Sequence, residues 1–232
     1  MQLEVVAEIP STSTALLARA RAGNFEEAAL LALRQTQGHG SHGRHWLGAE
    51  GNLALSLLLR CQTPLALAGQ WSLLAGLATL EALATPGLQL KWPNDILRDG
   101  AKLAGILVES QAGQGGSADF LVIGIGVNLA FAPTLPDRAT ASLDGALSPI
   151  PTARAIIARI EAWRAISAQH GFAPIREAWL AHAHPTGTPL TITTPSGPVR
   201  GTFAGLTESG ALRLETASGP SCFITGEVLP PA

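Results

Sequence analysis

A turn signal, Arg98-Asp99-Gly100, lies between two strand-like runs and restricts the fold more than any other stretch of the sequence. Asp-Gly adopts the positive φ values of a two-residue hairpin turn, whose twist matches that of paired strands. The incoming run is residues 88–92. Pro93 stops it, because proline has no N–H for a central ladder, and Asn94 and Asp95 are turn formers. The return strand is residues 102–109, and a Gly/Ser-rich loop at 111–119 leads to a further apolar strand at 120–129 (FLVIGIGVNL). Consecutive strands joined this way predict a mixed or largely antiparallel sheet and disfavour a parallel dinucleotide-binding one.

The flanking segments supply helices. Residues 3–9 read as a first strand, after which Ser11, Thr12, Ser13 and Thr14 precede an Ala/Leu-rich helix that Gly23 stops. One hydroxyl caps that helix, and the others remain available to a polar ligand. Residues 30–34 and 52–61 read as strands, and 65–84 as a buried helix ending before Pro86-Gly87. Residues 130–151 form a Pro- and Gly-rich loop of about twenty residues, long for a compact domain without a functional reason, and so a candidate lid. Residues 152–169 place Ile156, Ile157, Ile160 and Trp163 on one helical face, and 173–184 form a second helix. From 185 onward, short Thr/Val/Leu runs alternate with Ser-Gly turns, the pattern of a small β-barrel. The expected architecture is α+β: a catalytic domain over 1–184 with a mixed or antiparallel sheet flanked by helices, then a barrel over 185–232.

Composition narrows the function classes. A chain of 232 residues with 47% hydrophobic and 14% charged residues can bury a substantial core. Net charge is −2 and the Lys and Arg residues are scattered, so no basic stripe faces a nucleic-acid backbone. Cys61 and Cys222 lack metal-ligand spacing, which argues for a reduced compartment without structural zinc. The N-terminus lacks a secretory signal, and the apolar runs are interrupted before the roughly 20 residues of a membrane helix. A soluble cytoplasmic protein is expected.

The chemistry concentrates in a few places. Gly38, Gly40 and Gly43 lie within a loop that follows Gln35-Thr36 and ends at Trp46; such a loop either turns its amides toward an anion or is a flexible surface segment. Lys102 lies in a strand interior, which suits an ammonium meeting an anion or an exposed edge lysine, because burying an unpaired charge is very costly. Lys91 is a site residue or a solvated strand end, and Asp95 a turn former or a Mg2+ or hydroxyl ligand. Gly124-x-Gly126 marks bulges or close ligand approach, but without a following helix it is no dinucleotide fingerprint. His39, His42 and His45 share the glycine loop without a spacing that fixes metal geometry, and no Gly-x-Ser-x-Gly elbow supports a serine nucleophile.

Together these motifs resemble the biotin–protein ligases, which attach biotin to biotin carboxyl carrier protein. The family loop Gln-Thr-x-Gly-Arg-Gly-Arg-x-Gly-Arg-x-Trp corresponds to residues 35–46, and Lys-Trp-Pro-Asn-Asp stands unchanged at 91–95. Lys-Leu-x-Gly-Ile-Leu-x-Glu is found at 102–109, Gly-x-Gly-x-Asn at 124–128, an Ala-x-Ser-Leu-like segment around 140–143, and Gly-Glu-Val at 226–228. The order covers nearly the whole chain. No helix-turn-helix precedes Met1, so the resemblance is to single-function ligases lacking the N-terminal DNA-binding domain.

The resemblance implies a class II synthetase-like catalytic domain with an SH3-like barrel, using ATP and Mg2+ to convert biotin to biotinoyl-5′-AMP before transfer to a carrier lysine. It assigns biotin to Ser11, Thr12, Ser13, Gln35, Gly38, His39, Gly40, Ser41, Lys102, Gly105, Gly124 and Gly126. It assigns ATP to Arg44, Trp46, Lys91, Asn94, Asp95 and Asn128, with Lys102 and Arg44 catalytic, and the Mg2+ carried by ATP rather than by protein side chains. The implied partner is the carrier subunit of acetyl-CoA carboxylase, with no DNA or membrane and with a homodimer left open. Two departures matter: His39 and Ser41 stand where the family usually has arginines. Serine removes a permanent charge and a bidentate fork. A charge-assisted hydrogen bond is worth about 1.5–3 kcal/mol, or roughly 10–100-fold in retention of the adenylate, unless His42 or Arg44 compensates. The rivals are a lipoate-type ligase and a biotin- or adenylate-binding module with catalysis reduced by His39 and Ser41.

Overall fold

The computed structural model describes residues 1–112 and 117–229. Its main layer is a seven-stranded sheet ordered β1-β2-β3-β7-β6-β5-β4. The strands are Leu3–Ile9 (β1), Ala28–Gln35 (β2), Leu53–Pro64 (β3), Leu88–Lys91 (β4), Asp95–Arg98 (β5), Ala101–Ala112 (β6) and Ser117–Val127 (β7). β1 pairs β2 in parallel and every other neighbouring pair is antiparallel, the mixed sheet expected. Asp99 and Gly100 both have positive φ, 52° and 78°, at the tip of the β5–β6 hairpin. Asp95 differs from its reading as a turn residue. Trp92-Pro93-Asn94, with a cis Trp92–Pro93 peptide, makes the turn, and Asp95 opens β5 directly opposite Lys91.

Side-chain alternation gives the sheet two different faces. On β3, Leu53, Leu55, Leu57 and Leu59 point into the large core, with Ile123, Ile125 and Val127 of β7. Helices α2 (Ala68–Leu83), α3 (Pro149–His170) and α4 (Ala173–Ala181) contribute to the same core. On the opposite face, α1 (Thr12–Arg21) lays Leu16, Leu17 and Ala20 over Leu30, Leu58, Phe120 and Val122. The outward series along β7 is therefore Phe120, Val122, Gly124, Gly126. The large side chains end where α1 begins, and the glycines leave space beyond its N-terminus.

Residues Leu65–Leu83, a short 3-10 turn followed by α2, are long and apolar enough to cross a membrane by length and composition alone, although Gly69, Gln70, Ser72 and Gly76 interrupt the run as expected. In this fold Leu73, Leu74, Leu77, Leu80 and Leu83 are buried in the core, where α2 packs against α3. The strands flanking 111–119 run further than expected, and 113–116 lie outside the described residues. Helix α3 starts at Pro149, since proline is tolerated in a first turn, and α4 ends at Ala181 rather than 184.

The second sheet contains Pro189–Thr194 (β8), Gly197–Leu206 (β9), Leu212–Thr216 (β10), Gly219–Phe223 (β11) and Glu227–Leu229 (β12), in the antiparallel order β11-β10-β9-β8-β12. Leu190, Ile192, Phe203, Leu212, Leu214 and Val228 join the main core. The buried Trp92 Nε1 donates to the Gly210 carbonyl at 3.2 Å, fastening the two sheets together. Trp92→Phe keeps an aromatic ring but removes that donor. Urea unfolding should then show a loss of about 1–3 kcal/mol, the usual cost of a buried carbonyl left unpaired; an unchanged midpoint would contradict this role.

Candidate functional site

The site begins at the N-terminus of α1. Ser11 caps the helix, its Oγ accepting from Thr14 N at 3.3 Å, which leaves the next hydroxyls to turn onto the sheet. Gln35 Oε1 accepts from Thr12 N at 2.8 Å and from Thr12 Oγ1 at 2.9 Å. Ser56 Oγ lies 2.7 Å from Thr12 Oγ1 and 2.9 Å from Ser13 Oγ. Ser56 is fully buried and is the hub of this cluster, yet it was not among the expected residues. Its only sequence signal is that it interrupts the leucines of β3. A Cβ on Gly124 would fall 2.6 Å from Ser13 Oγ, so glycine is required for the hydroxyls to reach the sheet.

The glycine loop closes on itself. Gly40 N donates to Arg44 O at 2.8 Å and Trp46 N to Gly38 O at 2.9 Å, around a single 3-10 turn at Ser41–Gly43. These two amides are spent inside the loop instead of facing an anion. Gly38 is not part of the cavity wall; a Cβ there would meet Trp46 O at 2.6 Å and the Gln35 side chain at 2.8 Å. The Trp46 indole lies across Gly105 and Gly126, which face each other between β6 and β7, and a Cβ on Gly126 would overlap the ring. The glycines thus admit the protein's own indole. Trp46 Nε1 is buried and has no hydrogen-bond partner among the described residues.

The two positions that depart from arginine are both engaged. His39 spans Ser11 Oγ (Nδ1, 3.4 Å) and Glu109 (Nε2, 3.3 Å). Ser41 Oγ accepts from Arg44 Nη2 at 3.0 Å, and Arg44 Nη1 reaches Glu227 of β12 at 2.8 and 3.0 Å. The side chain of His42 lies outside the described residues.

Opposite the hydroxyls, charge is concentrated. Asp95, 6% exposed, meets Lys102 Nζ at 2.5 Å and Lys91 Nζ at 3.2 Å. Burial pushes its pKa up, but the two ammonium groups outweigh that and hold the carboxyl below its ordinary range. Burial likewise opposes ionisation of Glu227, and Arg44 and Arg138 outweigh it. Lys102 and Arg44 line a main cavity of 390 Å³ with Ser11, Thr12, Ser13, Gln35, His39, Gly40, Ser41, Trp46, Asn94, Gly105, Gly124, Gly126 and Asn128. Lys91 and Asp95 instead line an adjoining cavity of 270 Å³, which shares Ser41, Arg44 and Asn94 with the first. Among the described residues no three His, Cys, Asp or Glu side chains cluster, and Asp95 is held by two lysines.

The loop after β7 contributes more than a cover. Asn52 Oδ1 accepts from Ala130 N and Phe131 N at 2.9 and 3.0 Å, and Asn128 Nδ2 donates to Ala141 O at 3.0 Å. Lys102 and Thr140 form a short parallel bridge. Arg138 from this loop and Glu227 were also missed from sequence, although the loop and the Gly-Glu-Val segment that carry them were both singled out. The assembled cavity has neutral hydroxyl and amide groups at one end, a glycine and aliphatic floor with Trp46 in the middle, and cations at the other. That grading suits a ligand with a neutral polar head, an apolar body and an anionic end.

Residues 5–128 match the model of the Biotin/lipoate A/B protein ligase family, and 187–229 that of the Biotin protein ligase C terminal domain. The chain is 38% identical to a biotin–[acetyl-CoA-carboxylase] ligase of Paracoccus denitrificans over 86% of this chain and 88% of that one. It is 35% identical to the protein of that name from Mycobacterium tuberculosis over 98% and 88%. The solved structure of biotin protein ligase from Aquifex aeolicus in complex with biotin and ATP superposes with a TM-score of 0.81 at 26% identity, covering 98% of this chain and 97% of that one.

The buried triad yields a pH-dependent outcome. Asp95→Asn strips both lysines of their counter-charge and should cost about 3–5 kcal/mol at pH 7, the range for breaking a buried pair. A carboxyl with a lowered folded pKa stabilises above its unfolded value of 3.8 and loses that contribution as pH falls through the folded value. Urea unfolding should therefore show a constant gap between the wild type and Asp95→Asn at pH 5–8, closing below pH 3.8. A gap that widens toward acid would contradict the assignment.

Proposed function

The chain belongs to the biotin/lipoate A/B protein ligase family, and from that premise we infer that it is an ATP-dependent ligase that activates biotin as biotinoyl-5′-AMP and passes it to a lysine of biotin carboxyl carrier protein. The observation that carries the reading is the graded cavity, with hydroxyls at one end and Lys102 at the other. Biotin has a neutral ureido head that both donates and accepts hydrogen bonds, an apolar ring and chain, and a terminal carboxylate. The Thr12, Ser13, Gln35 and Ser56 cluster suits the ureido group. A lipoate-type ligase is disfavoured by this cluster, because a dithiolane ring has no use for buried hydroxyls. We assign the chemistry to residues 1–184 and a supporting role, through Glu227, to 185–232.

In the first step a biotin carboxylate oxygen attacks the α-phosphorus of ATP, the bond from that phosphorus to the bridging oxygen breaks, and pyrophosphate leaves. Two anions must approach, so fixed positive charge is the main requirement. Lys102 meets it from within the sheet, where Asp95 holds its ammonium in place before substrate arrives. Arg44 supplies a second cation at the loop. Mg2+ would be carried by the nucleotide phosphates and would offset part of their charge there. In the second step the neutral amine of the carrier lysine attacks the acyl carbon, the bond from that carbon to the phosphate oxygen breaks, AMP departs, and the amine loses its proton as the amide forms. For the mixed anhydride to survive the interval, the bound intermediate must itself fill this glycine-floored cavity and displace water from it.

The test is biotin-dependent ATP–pyrophosphate exchange, followed by transfer to a carrier domain. Exchange with biotin but not lipoate is expected; exchange with lipoate alone, or none, would overturn the reading. Lys102→Met should lower kcat about 10²–10³-fold, as loss of a transition-state charge partner does. Full exchange activity in that variant would remove Lys102 from the mechanism.

A further inference from the structure

We propose that Arg138 is a third phosphate-binding cation of this site beside Lys102 and Arg44, taking the part that an arginine at position 41 would play, and that Glu227 is the positioning residue that stations it beside Arg44. The inference rests on the ATP-dependent reading above. Arg138 comes from the long loop after β7, but its side chain is only 19% exposed, and it lines the main cavity with Arg44 and Lys102. Its Nη1 donates to Glu227 Oε1 at 3.2 Å, the same oxygen that takes Arg44 Nη1 at 2.8 Å. Its Nε and Nη2 bond the neighbouring Asp137 at 3.0 and 2.5 Å, which fixes the fork with Nη1 turned toward Glu227.

Two features make this a built arrangement and not a chance surface pair. The first is anchoring of the backbone on both sides of Arg138. Asn52 holds Ala130 and Phe131, while Lys102 N donates to Ala139 O and Ala141 N donates to Lys102 O, both at 2.9 Å. The strand that carries Lys102 therefore also delivers the residue next to Arg138. The second is the charge balance at the cavity mouth. Glu227 collects two guanidiniums from segments distant in sequence and Asp137 also pairs with Arg138, so two carboxylates offset the two cations and hold them in place for an incoming anion. Position 41 does not supply the cation, because the Ser41 hydroxyl accepts from Arg44 and orients it. Compensation for the missing loop arginine thus comes from another part of the chain.

The experiment uses the full chain, biotin-dependent ATP–pyrophosphate exchange, and the rate at which free adenylate leaves the enzyme without carrier. Arg138→Met should raise the KM for ATP about 10–100-fold and hasten adenylate release, leaving the KM for biotin near its original value, because one charge-assisted bond is lost at the phosphates alone. Arg138→Lys should recover part of the ATP affinity, and Ser41→Arg added to Arg138→Met should restore more. Glu227→Gln should raise the KM for ATP less than Arg138→Met. An Arg138→Met enzyme with unchanged KM for ATP and unchanged adenylate release overturns the proposal. So does a combined loss of ATP and biotin affinity that Arg138→Lys fails to recover, which would mark a structural residue. A wild-type chain without exchange activity overturns the ligase reading itself, and the proposal with it.

Discussion

The buried carboxylate of Asp95 between Lys91 and Lys102 is the interaction on which the rest depends. It joins β4, β5 and β6 by charge where they are already joined by backbone hydrogen bonds, and it keeps Lys102 at the cavity wall. A buried ion pair is weak evidence for stability, because desolvation can offset the Coulombic gain. Its value here is positional. An isolated ammonium in that wall would lack a counter-charge, whereas one paired with a carboxylate is fixed in position to meet an anion. Lys91 turns its remaining capacity outward to the Val228 carbonyl at 3.0 Å, so the same triad reaches the C-terminal sheet.

The cavity itself results from a change of residue size along one face of one strand. Phe120 and Val122 fill the space beneath α1, and Gly124 and Gly126 leave it open beyond the helix N-terminus. The odd-numbered residues of the same strand, Ile123, Ile125 and Val127, continue unbroken into the large core, so the opening on one face costs nothing on the other. The molecule can therefore hold a rigid floor under a reactive intermediate, which is what catalytic geometry requires of a scaffold.

Much of this was legible in the sequence because it rests on local rules. The Asp99-Gly100 turn, the capping hydroxyls at α1 and the helix of 65–84 each follow from neighbouring residues, and the family motifs located Lys102, Gln35 and the Gly124-x-Gly126 floor. What was not legible depends on contacts between distant segments. Ser56 looks like one polar residue in a leucine strand until Thr12 and Ser13 are folded onto it. Glu227 gains meaning only beside Arg44, far away in the chain, and Arg138 only beside Glu227. The glycines were expected to permit close approach of a ligand; the group that lies against Gly105 and Gly126 in the structure is Trp46, and Gly38 packs against the Trp46 carbonyl and the Gln35 side chain. Lys91 and Asp95, expected at the nucleotide, line the adjoining cavity in the structure, where Asp95 pairs with both Lys91 and Lys102.

The polarity of the cavity, neutral hydroxyls at one end and Lys102 at the other, is the central claim. A crystal structure of the chain with a non-hydrolysable biotinoyl-adenylate analogue tests it most directly. The expected density has the ureido ring against Thr12, Ser13 and Ser56 and the acyl-phosphate linkage within hydrogen-bond reach of Lys102 Nζ. A ligand lying in the opposite sense, or seated in the adjoining cavity with Lys102 still bonded only to Asp95, would contradict it.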